Sequence, residues 1–306
     1  MASLAERLDR ALTTGCLAGL SADPLDRRDR FLTLLRIYDL RLGAVSDSSR
    51  HGEHPMIATL KWALESEWLA ELSGLSDPLV SGDVVAGMRA LAARDRLPEA
   101  YEWVARSASW PEVVRFLALE GGPDGGFDDL VAMCQVGLTG RAKLELGQNY
   151  WDEMGNGSLE AVHTALHDRL VAAIDMPRIP LSSQPEAALE RAALGGLLST
   201  NHWLQPEMLG ALGLIELQAG PRCRKVLAAF DRLGAPEEAY PFYVEHAEVD
   251  PRHGKDWLDN AIEPVVSERP EWAERILRGA LWRSSVNAAF FDAIWRELSG
   301  ASTAAA

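Results

Sequence analysis

The chain has 306 residues, 47% of them hydrophobic and 25% charged, and its 45 acids against 30 bases give a formal charge of −15. A chain of this size and polarity buries a full core, which excludes general disorder. Its acidic balance excludes nucleic acid and an anionic membrane surface as main partners.

From the N-terminus, MASLAERLDRAL alternates charge with Leu and Ala, unlike a secretory signal. Apolar residues recur every three or four positions through AERLDRAL, DRFLTLLRIYDL, MIATLKWALESEWLAEL and DVVAGMRALAARDRL, which predicts helices. Ala, Leu, Glu and Arg, all strong helix formers, dominate these stretches. Ser109-Trp110-Pro111-Glu112 reads as a helix start, and so does Ser182 to Pro185 before EAALERAAL. Gly121 to Gly126 (GGPDGG) and Asp175 to Pro185, with three prolines, read as surface loops.

No segment sustains a two-residue alternation, so the expected fold class is all-α. Ten Trp against five Tyr suggest large aromatic plugs in a helical interior. No apolar run approaches the roughly 20 residues of a membrane span. Cys16, Cys134 and Cys223 are too few and too scattered for a disulfide framework or a CxxC zinc site, which fits a reduced cytoplasm. No internal repeat and no clear linker divide the chain. The expected organisation is an N-terminal helical segment over 1–100 packed on a functional region over 101–300, with a disordered tail over 301–306.

Two constellations carry chemistry. FYVEHAEVDPRHGKDWL spaces His246, Asp250 and His253 as H-x3-D-x2-H. On a helix at about 100° per residue these three fall within roughly 60° of one another, half of a metal site with nitrogen and oxygen ligands. NYWDEMGNGSLEAVHTALHDRL carries Glu160 and His163 as Glu-x-x-His, the arrangement with which helical bundles present diiron ligands inward. Glu153 lies seven residues before Glu160, on the same face if the helix continues. Gly155 and Gly157 offer the alternative of a turn that leaves Glu153 in a preceding helix. Glu120 ends the apolar run VVRFLALE and points either outward or to a partner. Either constellation alone also suits a solvated helix face; together they supply three His and at least three carboxylates, the composition that two irons need. His167, on the face of His163, is a competitor that reads as a supporting or surface residue. His51, His54 and His202 read as structural.

The order Glu, then Glu-x6-Glu-x2-His, then His-x3-Asp-x2-His resembles the haem-oxygenase-like diiron oxidases and oxygenases, the iron-containing redox enzymes. The resemblance runs from about Arg115 to Asn287, through FLALEGG, NYWDEMGNG, EHAEVDPRHGKDWL and ILRGALWRSSVN. It implies a haem-oxygenase-like helical bundle without haem, preceded by an additional N-terminal helical segment, and two Fe(II) ions with O2 as co-substrate. It implies Glu120, Glu160, His163, His246, Asp250 and His253 as the six shared metal ligands. Glu153 matches the extra carboxylate of members that oxygenate nitrogen. Gly155, Gly157, Pro251 and Gly254 interrupt the ligand segments, where glycine costs about 1 kcal/mol and proline about 3 kcal/mol in a helix interior. The labile second iron of the family is the expected consequence. Manganese accepts the same ligands, and the preference for iron follows from the resemblance.

The first functional expectation is an N-oxygenase that takes the primary amine of an amino acid or amino-heterocycle through hydroxylamine toward nitroso or nitro in a biosynthetic pathway, with Glu153 completing a seven-ligand set. The alternative is a diiron oxidase acting on an aliphatic amino acid by C–H activation, which needs only the six. A non-catalytic helical binding protein is a third reading. Asn149, Tyr150, Trp151 and Tyr243 are expected to line the substrate pocket, and Arg224, Arg283 and Asn287 to hold a substrate carboxylate, arginine by a bidentate pair. The expected partners are a small amine or amino acid, an external electron donor and a second copy of the chain in a homodimer.

Overall fold

The computed structural model describes residues 2–78, 82–121 and 126–304. It is helical throughout, with no strand among the described residues. The first five helices are α1 (Leu4–Thr14), α2 (Arg27–Leu42), α3 (Pro55–Ser73), α4 (Val84–Arg94) and α5 (Glu99–Arg106). Then follow α6 (Trp110–Glu120), α7 (Phe127–Cys134), α8 (Gly140–Glu153), α9 (His163–Ala173) and α10 (Glu186–Thr200). The last are α11 (Gln205–Leu233), α12 (Tyr240–Asp256), α13 (Glu263–Glu268) and α14 (Ala273–Ala304).

Local signals set many of these ends. Ser109 and Glu112 form a reciprocal capping box at the start of α6, with Pro111 in the first turn. The second expected start differs in detail. α10 begins at Glu186 directly after Pro185, and no serine side chain caps it. Between Asp175 and Pro185 the chain is irregular apart from a 3₁₀ turn at Leu181–Ser183. Of the GGPDGG loop, residues 122–125 lie outside the described residues. The expected tail over 301–306 is helical as far as Ala304, since its alanines are good helix formers. Residues 305 and 306 lie outside the described ones.

The 29-residue α11 and the 32-residue α14, about 44 and 48 Å long at 1.5 Å per residue, form the axis of the bundle. α11 packs along α12 and α14 and also touches α4 and α5, while α10 packs on α2 and α14. Two apolar clusters result. One joins buried side chains of α1–α4 to α7, α8, α10, α11 and α14, so the N-terminal helices share a core with the bundle. The other gathers α5, α6 and α9 around the second half of α11, α12 and the end of α14.

Trp68, Trp257 and Trp282 are among the largest fully buried side chains. Their indole N–H groups donate to Glu190 Oε1, the Leu209 carbonyl and the Leu72 carbonyl. A buried Trp needs such an acceptor. Trp62, Trp151 and Trp203 are exposed, so the expectation of interior plugs holds for only part of the tryptophans. All three cysteines are free. No helix among the described residues is long and apolar enough to cross a membrane.

Candidate metal centre

The path from α8 to α9 decides the first half of the site. α8 ends at Glu153, and Gly155, Asn156 and Gly157 all take positive φ (61°, 53° and 85°). A Cβ on Gly155 would stand 2.4 Å from the Ala161 carbonyl carbon, so only glycine passes this close. The chain therefore turns, and His163 becomes the first residue of α9. Glu160 sits in a separate 3₁₀ turn, Leu159–Ala161, with its side chain exposed and its carbonyl taken by Arg169. The turn alternative is the one the chain adopts, and the same-face Glu-x-x-His pair does not form.

α12 decides the second half. Its inward face carries His246, Asp250 and His253, as the spacing predicts. A Cβ on Gly254 would lie 3.1 Å from the Glu216 carbonyl group of α11, a contact tight enough that glycine sets the separation of the two helices. That approach delivers Glu216 to the α12 ligand face.

Two triads emerge. Donor atoms of Glu153, His163 and His246 lie within 4.8 Å of one another, and so do those of Glu216, Asp250 and His253. All are buried except His246, which is partly so. Asp250 shares a helix with His246, and the charge of Glu153 acts on both Glu216 and Asp250, so the triads adjoin.

Hydrogen bonds fix the imidazoles. His246 Nδ1 lies 2.7 Å from the Phe242 carbonyl, which only accepts; the proton is therefore on Nδ1 and Nε2 keeps its lone pair. His253 Nε2 donates to Asp152 Oδ2 at 2.9 Å, leaving Nδ1 as the lone-pair atom, 3.7 Å from Glu216 Oε2. Asn149, expected in the substrate pocket, instead donates from Nδ2 to Glu216 Oε1 at 2.7 Å. Such outer partners orient metal ligands and set their tautomers.

The residues fit metal ions. His163 Nδ1, His253 Nδ1 and Asp250 Oδ2 are buried and have no hydrogen bond. His163 Nδ1 stands 2.6 Å from Glu153 Oε2 outside hydrogen-bond geometry, as when two donors converge on a shared point. Buried lone pairs left this way are costly unless an ion takes them. Two His with one carboxylate form the set that non-haem Fe(II) favours. The second triad has one His and two carboxylates.

The electrostatics agree. Burial pushes the Glu216 carboxyl up to about 8, with the Glu153 charge adding to it. Burial, then Glu216, raises Asp250 as well. Burial, with repulsion from His163, lowers His246 to about 4. Burial also works against a charged His163, but the Glu153 carboxylate outweighs it and raises that group. Crowded carboxylates in a dry site hold protons until a cation replaces them.

A cavity of about 340 Å³ opens onto both triads and is lined by Tyr243, Phe242, Arg283 and Asn287 among others. Glu120 also lines it but stands outside the triads, accepting from the Tyr101 hydroxyl at 3.2 Å. His167 lines it too, its ring 5.2 Å from that of Phe242. Five expected residues are elsewhere: Asn149 holds Glu216, and Tyr150 packs against the first apolar cluster. Glu160 and Trp151 are exposed, and Arg224 donates to the Ala247 carbonyl, bracing α12. Glu216 was missed, although a lone carboxylate inside the apolar run LGLIELQAG was the available signal.

A helical bundle with two buried His–carboxylate triads beside a cavity has the donor sets of a metalloprotein. The model of the iron-containing redox enzyme family matches residues 115–288, and the chain belongs to that haem-oxygenase-like family. It is therefore an oxidoreductase. No curated protein matches the chain.

Proposed function

We propose that the chain is an O2-dependent oxidase with two Fe(II) ions, one held by Glu153, His163 and His246 and the other by Glu216, Asp250 and His253. Two Fe(II) ions held by these residues would supply the electrons for O2 activation toward a C–H or N–H bond of a small organic substrate. The chain's own residues do the rest. Phe242 and Asp152 fix which nitrogen of His246 and His253 carries the proton. Asn149 holds the Glu216 carboxylate. Tyr243 and Phe242 wall the cavity, and an external electron donor completes the cycle.

The observation that carries this reading is the trio of buried atoms without a hydrogen bond, His163 Nδ1 in one triad and His253 Nδ1 and Asp250 Oδ2 in the other. Oxygenation of a primary amine nitrogen and oxidation at an aliphatic C–H are both open to such a site. The nitrogen expectation rested on Glu153 as a seventh ligand beside Glu120 and Glu160, whereas Glu153 is one of six and those two stand outside the triads. The aliphatic alternative counted the six without Glu153, a set that also includes Glu120 and Glu160. The two triads therefore favour neither count, and the product decides between the two chemistries.

The test is anaerobic Fe(II) titration followed by O2, with oxygen uptake and product mass read across a panel of amines and amino acids. Two iron equivalents with oxygen uptake support the reading. A product two hydrogens lighter, or oxygenated on carbon, assigns it to the C–H bond, and a hydroxylamine or nitro product assigns it to nitrogen. No iron bound and no oxygen consumed refute it in favour of a binding protein.

A further inference from the structure

The family region begins at residue 115, yet part of the cavity wall comes from before it. Tyr101, on α5, lines the cavity and is 3% exposed. Its distance from the triads follows from α11. Glu216, Ala219 and Cys223 recur at helical spacing and all line the cavity, which therefore runs along α11 for about 10 Å from the second triad. Tyr101 belongs to the far end. Burial raises its hydroxyl, and the charges that then act on it, Glu120, Arg222, Arg191 and Cys223, include no triad residue. Cys223 stands between the two ends: burial raises its thiol, and Asp250 and Glu120 both add to that.

Three basic side chains of α11 hold α5 in place. Arg222 donates from Nη2 to the Asp95 carbonyl (2.7 Å) and from Nε to the Arg96 carbonyl (3.3 Å), at the end of α4. About 15 Å further along α11, Arg232 donates to the Val104, Ala105 and Ala108 carbonyls at the end of α5 (3.0, 2.9 and 2.6 Å). Between them Lys225 pairs with Glu102 at 2.5 Å. Carbonyls at a helix C-terminus lack partners within the helix and favour cations, so these bonds tie both helix ends to one rod. Tyr101 itself is fixed as firmly. Its ring packs edge-on to Phe116 (centres 5.1 Å apart) and against Phe291 (5.4 Å), and its hydroxyl donates to Glu120 Oε1 at 3.2 Å.

A side chain buried for packing alone is enclosed on every side, whereas Tyr101 borders the open space of the cavity. A molecule lying along α11 with one end at the triads meets the Tyr101 side chain at the other. We infer that Tyr101 is the end stop of the cavity, the residue that limits how long a molecule the site admits, and that α4 and α5 hold it there. The specificity of this chain is then set in part by residues outside the family region. That the molecule so measured is the one oxidised rests on the oxidase reading above; the stop itself does not.

The experiment is calorimetric titration of the full-length, iron-free protein with straight-chain alcohols from 1-butanol to 1-decanol, neutral probes for the apolar lining of Leu117, Leu130 and Ile215. For wild type, affinity is expected to rise about fourfold with each added methylene, the gain from burying one CH2, and to level off once the chain reaches the stop. Tyr101→Ala, which empties the space of the ring, is expected to move that limit outward by about three carbons. Tyr101→Phe keeps the ring and is expected to keep the wild-type limit. Circular dichroism verifies folding; should the alanine variant be unfolded, Tyr101→Leu replaces it, with a shift of about one carbon. A folded alanine or leucine variant with the wild-type limit overturns the proposal. So does a Tyr101→Phe limit as long as that of Tyr101→Ala, a wild-type affinity that never levels off, or no alcohol binding at all. A limit that moves as expected, in a protein that consumes no oxygen when loaded with iron, supports the stop and refutes the oxidase reading, so the two failures are distinguishable.

Discussion

Asp152 accepts a hydrogen bond from His253 at 2.9 Å and an ion pair from Arg252 at the same distance, though neither partner is within ninety residues of it. One carboxylate of α8 thereby orients an imidazole of α12. Burial raises the Asp152 carboxyl, but the hydrogen bonds from His253 and Gln148 overcome this and leave it lowered. It is thus an anion where His253 needs one.

Asp152→Asn is expected to weaken iron binding at the Glu216–Asp250–His253 triad by about 10- to 100-fold, the usual cost of losing such a partner. The amide can still sit near His253 but no longer fixes its tautomer by charge. Competition with a coloured Fe(II) chelator measures this. Unchanged affinity at both triads removes Asp152 from the site.

The two glutamates on which sequence and structure part company give a direct comparison. Glu216→Gln is expected to drop bound iron from two equivalents to about one, leaving the Glu153–His163–His246 triad loaded. Glu160→Gln is expected to keep both, since its side chain is exposed. Metal analysis after anaerobic loading decides, and the reverse pattern restores the Glu-x-x-His ligand pair.

Gly254→Ala pushes a methyl group against the Glu216 carbonyl. Overpacking of this kind costs about 1–3 kcal/mol, and here it also spreads α11 from α12. The expected outcome is a lower denaturation midpoint together with weaker iron binding at the second triad. A variant with wild-type stability and affinity shows that the helices adjust without consequence.

The pH dependence of the iron-free protein follows from Glu216. Its folded value, about 8, stands above its ordinary 4.5, so the folded state holds the proton more tightly. That contribution to stability is full below about pH 4.5 and is lost as pH rises through 8. His246, lowered from 6.5 to about 4, acts oppositely, its contribution being lost as pH falls from 6.5 toward 4. Between pH 6.5 and 8.5 the melting temperature of iron-free wild type is therefore expected to fall relative to Glu216→Gln. Loading with Fe(II) replaces the protons and is expected to flatten the fall. A parallel pair of iron-free curves contradicts the buried-acid account.

Much of this protein was written locally. The three- and four-residue periodicity determined an all-α fold, Ser109 and Glu112 determined where α6 starts, and His246, Asp250 and His253 needed only one helix to face the same way. Those features depend on near neighbours, and the residues themselves state them. Tertiary structure decided the rest. Glu153 and His163 meet because a left-handed turn through Gly155 to Gly157 reverses the chain, which breaks the helical spacing that had linked Glu160 to His163. Glu216 joins Asp250 and His253 because α11 and α12 touch at Gly254. Arg222 of α11 and Asn287 of α14 share one wall for a similar reason. A carboxylate in an apolar helix announces that it requires a partner, but the identity of that partner is set by how helices cross, which no local spacing encodes.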